Sequence, residues 1–173
     1  MNLLNLSNVS AIHRKGSAVQ QGPADPSILY QNSNGLDTSN ASTTTSLKIG
    51  FQFIPTADMT LTKFSIYIYS IFTPVATNKF LIFHNGSQIG ETDYHYVTPD
   101  AYTEFTPTAE IELTAGQTYH FVFQAYNNGN ARIKRTNTAV TGSPVLINYY
   151  TLANVFSSTY STTRPPQYEI WGF

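Results

Sequence analysis

Ser46-Leu47-Lys48-Ile49-Gly50-Phe51-Gln52-Phe53 alternates apolar with polar or small side chains along nearly its whole length. Successive side chains of a strand point to opposite faces, so Leu47, Ile49, Phe51 and Phe53 share one face and Lys48, Gly50 and Gln52 the other. The pattern predicts a strand buried on one side. Pro55 and the Thr56-Ala57-Asp58 turn end it. Thr60 to Ser70 repeats the reading, with Thr62, Phe64, Ile66 and Ile68 on one side and Tyr67 and Tyr69 on the other.

Working outward, Lys79-Phe80-Leu81-Ile82-Phe83 runs into His84-Asn85-Gly86-Ser87, and Asn-Gly is a strong two-residue turn signal because both residues tolerate positive φ. Residues 88 to 96 are expected to return antiparallel. Pro99 and Pro107 punctuate the next section. Glu110-Ile111-Glu112-Leu113 then enters Thr114-Ala115-Gly116-Gln117 and leaves through Tyr119, Phe121 and Phe123, which reads as a hairpin. Asn127-Asn128-Gly129-Asn130 supplies another turn. Ala131 to Asn137, Val145 to Thr151 and Tyr168 to Phe173 complete eight or nine strands. That number, at spacings of about 8 to 15 residues with no helical segment, predicts an all-β antiparallel two-sheet sandwich, a jelly roll in preference to an open sheet. Residues 1–45, rich in Gly, Pro, Ser, Asn and Thr, read as an extended N-terminal arm, and residues 46–173 as the sandwich.

Composition narrows the function. The chain has 173 residues and no cysteine, which excludes disulfides, thiolate metal sites and cysteine nucleophiles. Charged residues make up 11% and the formal net charge is -1, against about a quarter charged in ordinary domains, so direct binding of nucleic acid is not expected. No stretch approaches the roughly 20 apolar residues of a membrane span. The start, Met1-Asn2-Leu3-Leu4-Asn5, lacks a basic region and a continuous apolar run, so synthesis in a host cytoplasm without a signal peptide is the expectation.

Neither a catalytic nor a metal constellation emerges. His13, His84, His95 and His120 stand in no ligand spacing, and Asp93, Asp100 and Glu104 lack the repeat of a calcium loop, so they read as solvated carboxylates. Gly86-Ser87-Gln88-Ile89-Gly90 fails the spacing of a nucleophile elbow, and Glu110 with Glu112 reads as an exposed strand face. Catalytic residues, metals and cofactors are therefore expected to be none. The basic cluster Arg132, Lys134 and Arg135 reads as an edge-strand guard or an interface ion-pair donor. Leu3, Leu4, Leu6 and Ile12 in the arm would be costly to leave in water and are candidates for covering a neighbour. Tyr67, Tyr69, Tyr149 and Tyr150 are expected on solvent-facing positions, where they could stack on sugar rings or on a neighbouring subunit, subunit contact or plain sheet packing being preferred over a sugar site. Tyr168, Trp171 and Phe173 join them as interface candidates on the last strand, with sheet packing the plainer role for the single Trp.

A Cys-free, charge-poor sandwich with an extended arm resembles the small single-jelly-roll capsid proteins of tailless icosahedral phages that enclose a membrane. The resemblance lies in architecture and size, and no motif carries it. It implies a virion structural protein, a capsid subunit that builds the icosahedral shell through contacts with its own copies, as a dimer or larger, and with other capsid proteins. Ile111 to Phe123, with Leu113-Thr114-Ala115-Gly116 and Tyr119-His120-Phe121-Val122-Phe123, also resembles turns of phage appendage domains and carbohydrate-binding modules. That resemblance implies a receptor-binding or carbohydrate-binding module with a glycan as partner.

Overall fold

The computed structural model describes residues 26–32, 40–42, 47–71, 77–125, 131–136, 144–151, 154–162 and 164–173. They form β1 (Ser27–Asn32), β2 (Asn40–Ser42), β3 (Leu47–Phe53), β4 (Met59–Ile71), β5 (Thr77–His84), β6 (Ser87–Glu91), β7 (His95–Tyr96), β8 (Ala101–Phe105), β9 (Ile111–Leu113), β10 (Tyr119–Ala125), β11 (Ala131–Lys134), β12 (Val145–Thr151), β13 (Asn154–Thr162) and β14 (Tyr168–Gly172). Among the described residues there is no helix, and hence none long and apolar enough to cross a membrane. Among the described residues fourteen strands stand where eight or nine were expected. The surplus is β1, β2, β8 and β13, together with the division of residues 88–96 into β6 and β7.

Two antiparallel sheets pack as a sandwich. In one, β4 is the spine: β14 and then β1 lie along one edge, with β11 and β2 continuing that edge, while β8 and β9 line the other. The other sheet runs β13-β12-β3-β10-β5, with β6 and β7 both on the outer edge of β5. Most successive elements change sheets, the kind of connectivity found in Greek-key sandwiches. The alternation of β3 is realised as read: Ile49, Phe51 and Phe53 are fully buried, with Phe51 opposite Phe121 on one side and Ile147 on the other. Phe51 stacks on Phe121 at 4.6 Å, Phe64 meets Phe80 edge-on at 5.1 Å, and Phe105 meets Phe80 at 4.8 Å, so rings from both sheets interlock at mid-core.

Three local readings are corrected. On β4, Leu61 rather than Thr62 joins Phe64, Ile66 and Ile68 inside, because the pairing with β14 shifts register, Lys63 facing Trp171 and Leu61 facing Gly172. Residues 110–123 are no hairpin: β9 pairs with β4 in one sheet and β10 with β3 and β5 in the other. Ile111, Leu113, Tyr119 and Phe121 are all buried, but they enter the core from opposite sides, and alternation is the same for a hairpin and for an arch between sheets. The arch is fastened by a backbone bond from Gly116 N–H to the Pro55 carbonyl at 2.8 Å and by Thr114 N–H donating to the Tyr119 hydroxyl at 2.8 Å. The third correction is to residues 88–96, which form β6 and β7 rather than one strand, interrupted at Thr92, whose backbone bridges Pro107. The Asn85-Gly86 turn does form, with φ of 48° and 78°.

Part of the segment read as an arm lies within the sheet. β1 pairs with β14, the Tyr30 ring meets Phe53 edge-on at 5.1 Å, its hydroxyl accepts from Thr56 N–H at 2.8 Å, and Asn32 Nδ2 donates to the Pro166 carbonyl at 2.7 Å. Leu3, Leu4, Leu6 and Ile12 lie outside the described residues.

Candidate binding face

With Phe64, Ile66 and Ile68 of β4 committed to the core, the intervening Lys63, Ser65, Tyr67 and Tyr69 project from the opposite side of that sheet. The same alternation sends Glu169 and Trp171 outward from β14, and Tyr102 and Glu104 from β8. Register assembles them in rows. Tyr102 faces Tyr67, Glu104 and Glu169 flank Ser65, and Trp171 faces Lys63. The result is a platform of Trp171, Tyr102, Tyr67 and Tyr69 with charged residues set between the rings.

Contacts within the face hold these side chains in place. The Lys63 ammonium lies 4.2 Å from the Trp171 ring centroid and 2.8 Å from Glu104 Oε2. Tyr67 meets Tyr102 edge-on at 5.2 Å, and its hydroxyl is 2.9 Å from the Asp100 carbonyl and 2.8 Å from Asp100 Oδ1, to which it donates. Asp100 has a φ of 57°, a left-handed conformation that Asp tolerates better than most residues. Ser65 Oγ donates to Glu169 Oε2 at 3.0 Å. The Lys134 ammonium sits 5.1 Å from the Tyr67 ring and 5.9 Å from Tyr69. The hydrogen bond to Asp100 raises the Tyr67 phenol above its ordinary value, and burial, then the Glu169 charge, does the same to Tyr102. Both therefore stay neutral through the physiological range.

Of the residues singled out from the sequence, Tyr67, Tyr69 and Trp171 come together on this face. Phe173 follows β14, its carbonyl accepting from Thr60 N–H at 3.0 Å and its side chain exposed. Tyr168 points into the core, because it alternates with Glu169, and so presents no surface of its own. Tyr150 is 0% exposed, which corrects its solvent-facing placement. Its ring crosses Gly50, where a Cβ would lie 3.0 Å from it, and its hydroxyl shares a hydrogen bond of 2.8 Å with His120 Nδ1. For Tyr149 the backbone pairs with Ile49 and Tyr160, and its side chain is outside the described residues. Lys134 guards no edge, since β11 is paired on both sides, with β4 and β2.

Sequence reasoning missed Tyr102, Lys63 and Glu169, and took Asp100 and Glu104 as solvated. The signal for Tyr102 and Glu104 was the alternation in Ala101-Tyr102-Thr103-Glu104-Phe105, overshadowed by the flanking Pro99 and Pro107. No protein-family model matches the chain, and no curated protein is found as a relative.

Proposed function

We propose that the chain is a glycan-binding β-sandwich module that uses the outer face of the β4 sheet. The observation that carries this reading is the interleaving of aromatic rings with hydrogen-bonding and charged groups on one face. A sugar ring presents an apolar C–H face and a polar rim, so it matches rings such as Trp171 and Tyr102 bordered by Glu104, Glu169 and Lys63. The buried centre of a subunit interface, by contrast, is depleted of Lys, Glu and Asp, which these rows supply. Because the rings are already braced by Lys63 and Asp100, little side-chain entropy remains to be lost on binding.

The test is retention of the full chain on immobilised polysaccharides, compared with Trp171→Ala and Tyr102→Ala. At least one glycan should retain the parent chain with millimolar or tighter affinity, and each variant should weaken retention while unfolding cooperatively by circular dichroism. A parent chain that binds no glycan overturns the proposal.

A second reading, the virion capsid subunit, is favoured by a different observation. Among the described residues β1 forms an edge of its sheet and leaves Ile28 and Leu29 exposed, with Phe173 exposed at the end of the neighbouring strand. Such an edge suits contact with further copies or with other shell proteins. Light scattering over a range of concentrations decides it: dimers or larger species sustain the shell reading, and a monomer at every concentration removes it.

A further inference from the structure

Among the described residues three lysines lie against aromatic rings, and they differ in one respect. Lys63, over Trp171, has Glu104 at 2.8 Å, and Lys79, 5.0 Å from the Tyr94 ring, has Glu91 at 2.8 Å. Lys134 lies over Tyr67 and Tyr69, yet among the described residues no carboxylate is within ion-pair distance of its ammonium and no acceptor hydrogen-bonds to it. Only 7% of Lys134 is exposed. Ring faces offset part of the cost of partly desolvating an ammonium, and Lys134 Nζ is not a fully enclosed atom, so its N–H donors have no protein acceptor among the described residues and remain open to a ligand. One wall of this cage, Tyr69, is 38% exposed, so the site opens toward solvent on the platform described above.

We infer that Lys134, caged by Tyr67 and Tyr69, is the subsite for the anionic substituent, carboxylate or sulfate, of an acidic sugar whose ring rests on the exposed tyrosine. The inference rests on the glycan reading and specifies its ligand class. It also gives a use to the basic cluster of β11, which guards no edge. The anion meets an unused cation, whereas at Lys63 or Lys79 it would compete with a carboxylate already in place. Glu104, Glu169 and Asp100 then face the neutral, hydroxyl-bearing remainder of the chain of sugars.

The experiment is an array of oligosaccharides built from galacturonate, glucuronate, N-acetylneuraminate and sulfated galactose, each beside its uncharged counterpart, probed with the full chain. At low salt at least one acidic member should bind about tenfold or more tighter than its counterpart, as a charge-assisted hydrogen bond predicts. Whether uronate, sialate or sulfate responds identifies the anion. Lys134→Met, which keeps the apolar stem, should erase the preference for acidic over neutral members while unfolding cooperatively by circular dichroism, and Lys134→Arg should retain it. Neutral members bound with no acidic preference, or a preference that survives in Lys134→Met, overturns the subsite and leaves the glycan reading standing. Retention of no member at all overturns both.

Discussion

On the β4 sheet the outward positions Lys63, Tyr67, Tyr69, Tyr102 and Trp171 make an open face, whereas on the β3 sheet the outward positions Gly50, Leu81, Phe83, Val122, Asn148 and Tyr150 are buried. Leu81, Phe83, Val122 and Tyr150 form a second, smaller apolar cluster behind the main core. β13 explains part of the closure. Its pairing with β12 shifts register at Tyr149/Tyr150 and at Tyr150/Thr151, and it comes against β10 although β12 and β3 lie between them in the sheet, so it bends back across that face. The polar groups caught there are satisfied unevenly: Tyr150 reaches His120, and Asn148 Nδ2 donates to Gln52 Oε1 at 3.4 Å, while Asn148 Oδ1 has no hydrogen-bond partner. Burial pushes the Tyr150 phenol well above its ordinary value, with the Asn148 amide pulling the other way, and holds the His120 imidazole below its usual range, to which His84 adds. The difference teaches that an outward-pointing aromatic is a binding group only where the fold leaves its face uncovered.

The largest expected effect calibrates the two faces against the core they share. Phe121, fully buried between Phe51, Phe53 and Phe64, should cost about 3–5 kcal/mol on replacement by Ala, read by chemical denaturation. A loss below about 1 kcal/mol would mean that β10 faces the other way.

A smaller effect tests the closed face. Tyr150→Phe removes the bond to His120 and should cost about 0.5–1.5 kcal/mol, with a signature in pH. Because His120 binds its proton more weakly in the folded chain, the unfolded state gains protons first, so stability falls as pH drops below about 6.5. The raised Tyr150 acts in the opposite direction at high pH, where stability falls once the unfolded tyrosine, with its pKa of about 10, begins to ionise. Melting temperatures followed from pH 8 to 5 should decline less steeply in His120→Gln than in the parent, and parallel curves would show that face to be open to water.

The smallest effect belongs to the open face. Lys63→Ala severs the contacts with Trp171 and Glu104, both partly exposed to water, and should cost no more than about 1 kcal/mol in the same denaturation assay. A much larger loss would place the platform inside an apolar environment and remove the contrast between the two faces.

Much of the fold was legible because burial on one side imposes a period of two. The β3 alternation, the Asn85-Gly86 turn and the inward Phe121 all follow from that rule and from the steric freedom of Asn and Gly. Of the site, Tyr67, Tyr69 and Trp171 were legible as aromatic positions on strands. Their assembly was not, since Tyr102, Lys63 and Glu169 join them through pairings between residues far apart in the chain.

By itself, then, the sequence determined an all-β chain whose side chains divide into inward and outward sets, because that division is a local property of extended backbone. Only the tertiary structure decided that β9 and β10 arch between sheets, that Tyr150 is enclosed while Tyr69 is open, and that among the described residues Lys134 has no carboxylate beside it where Lys63 and Lys79 have one. The physical reason is that alternation fixes which way a side chain points, and only long-range pairing fixes what it meets there.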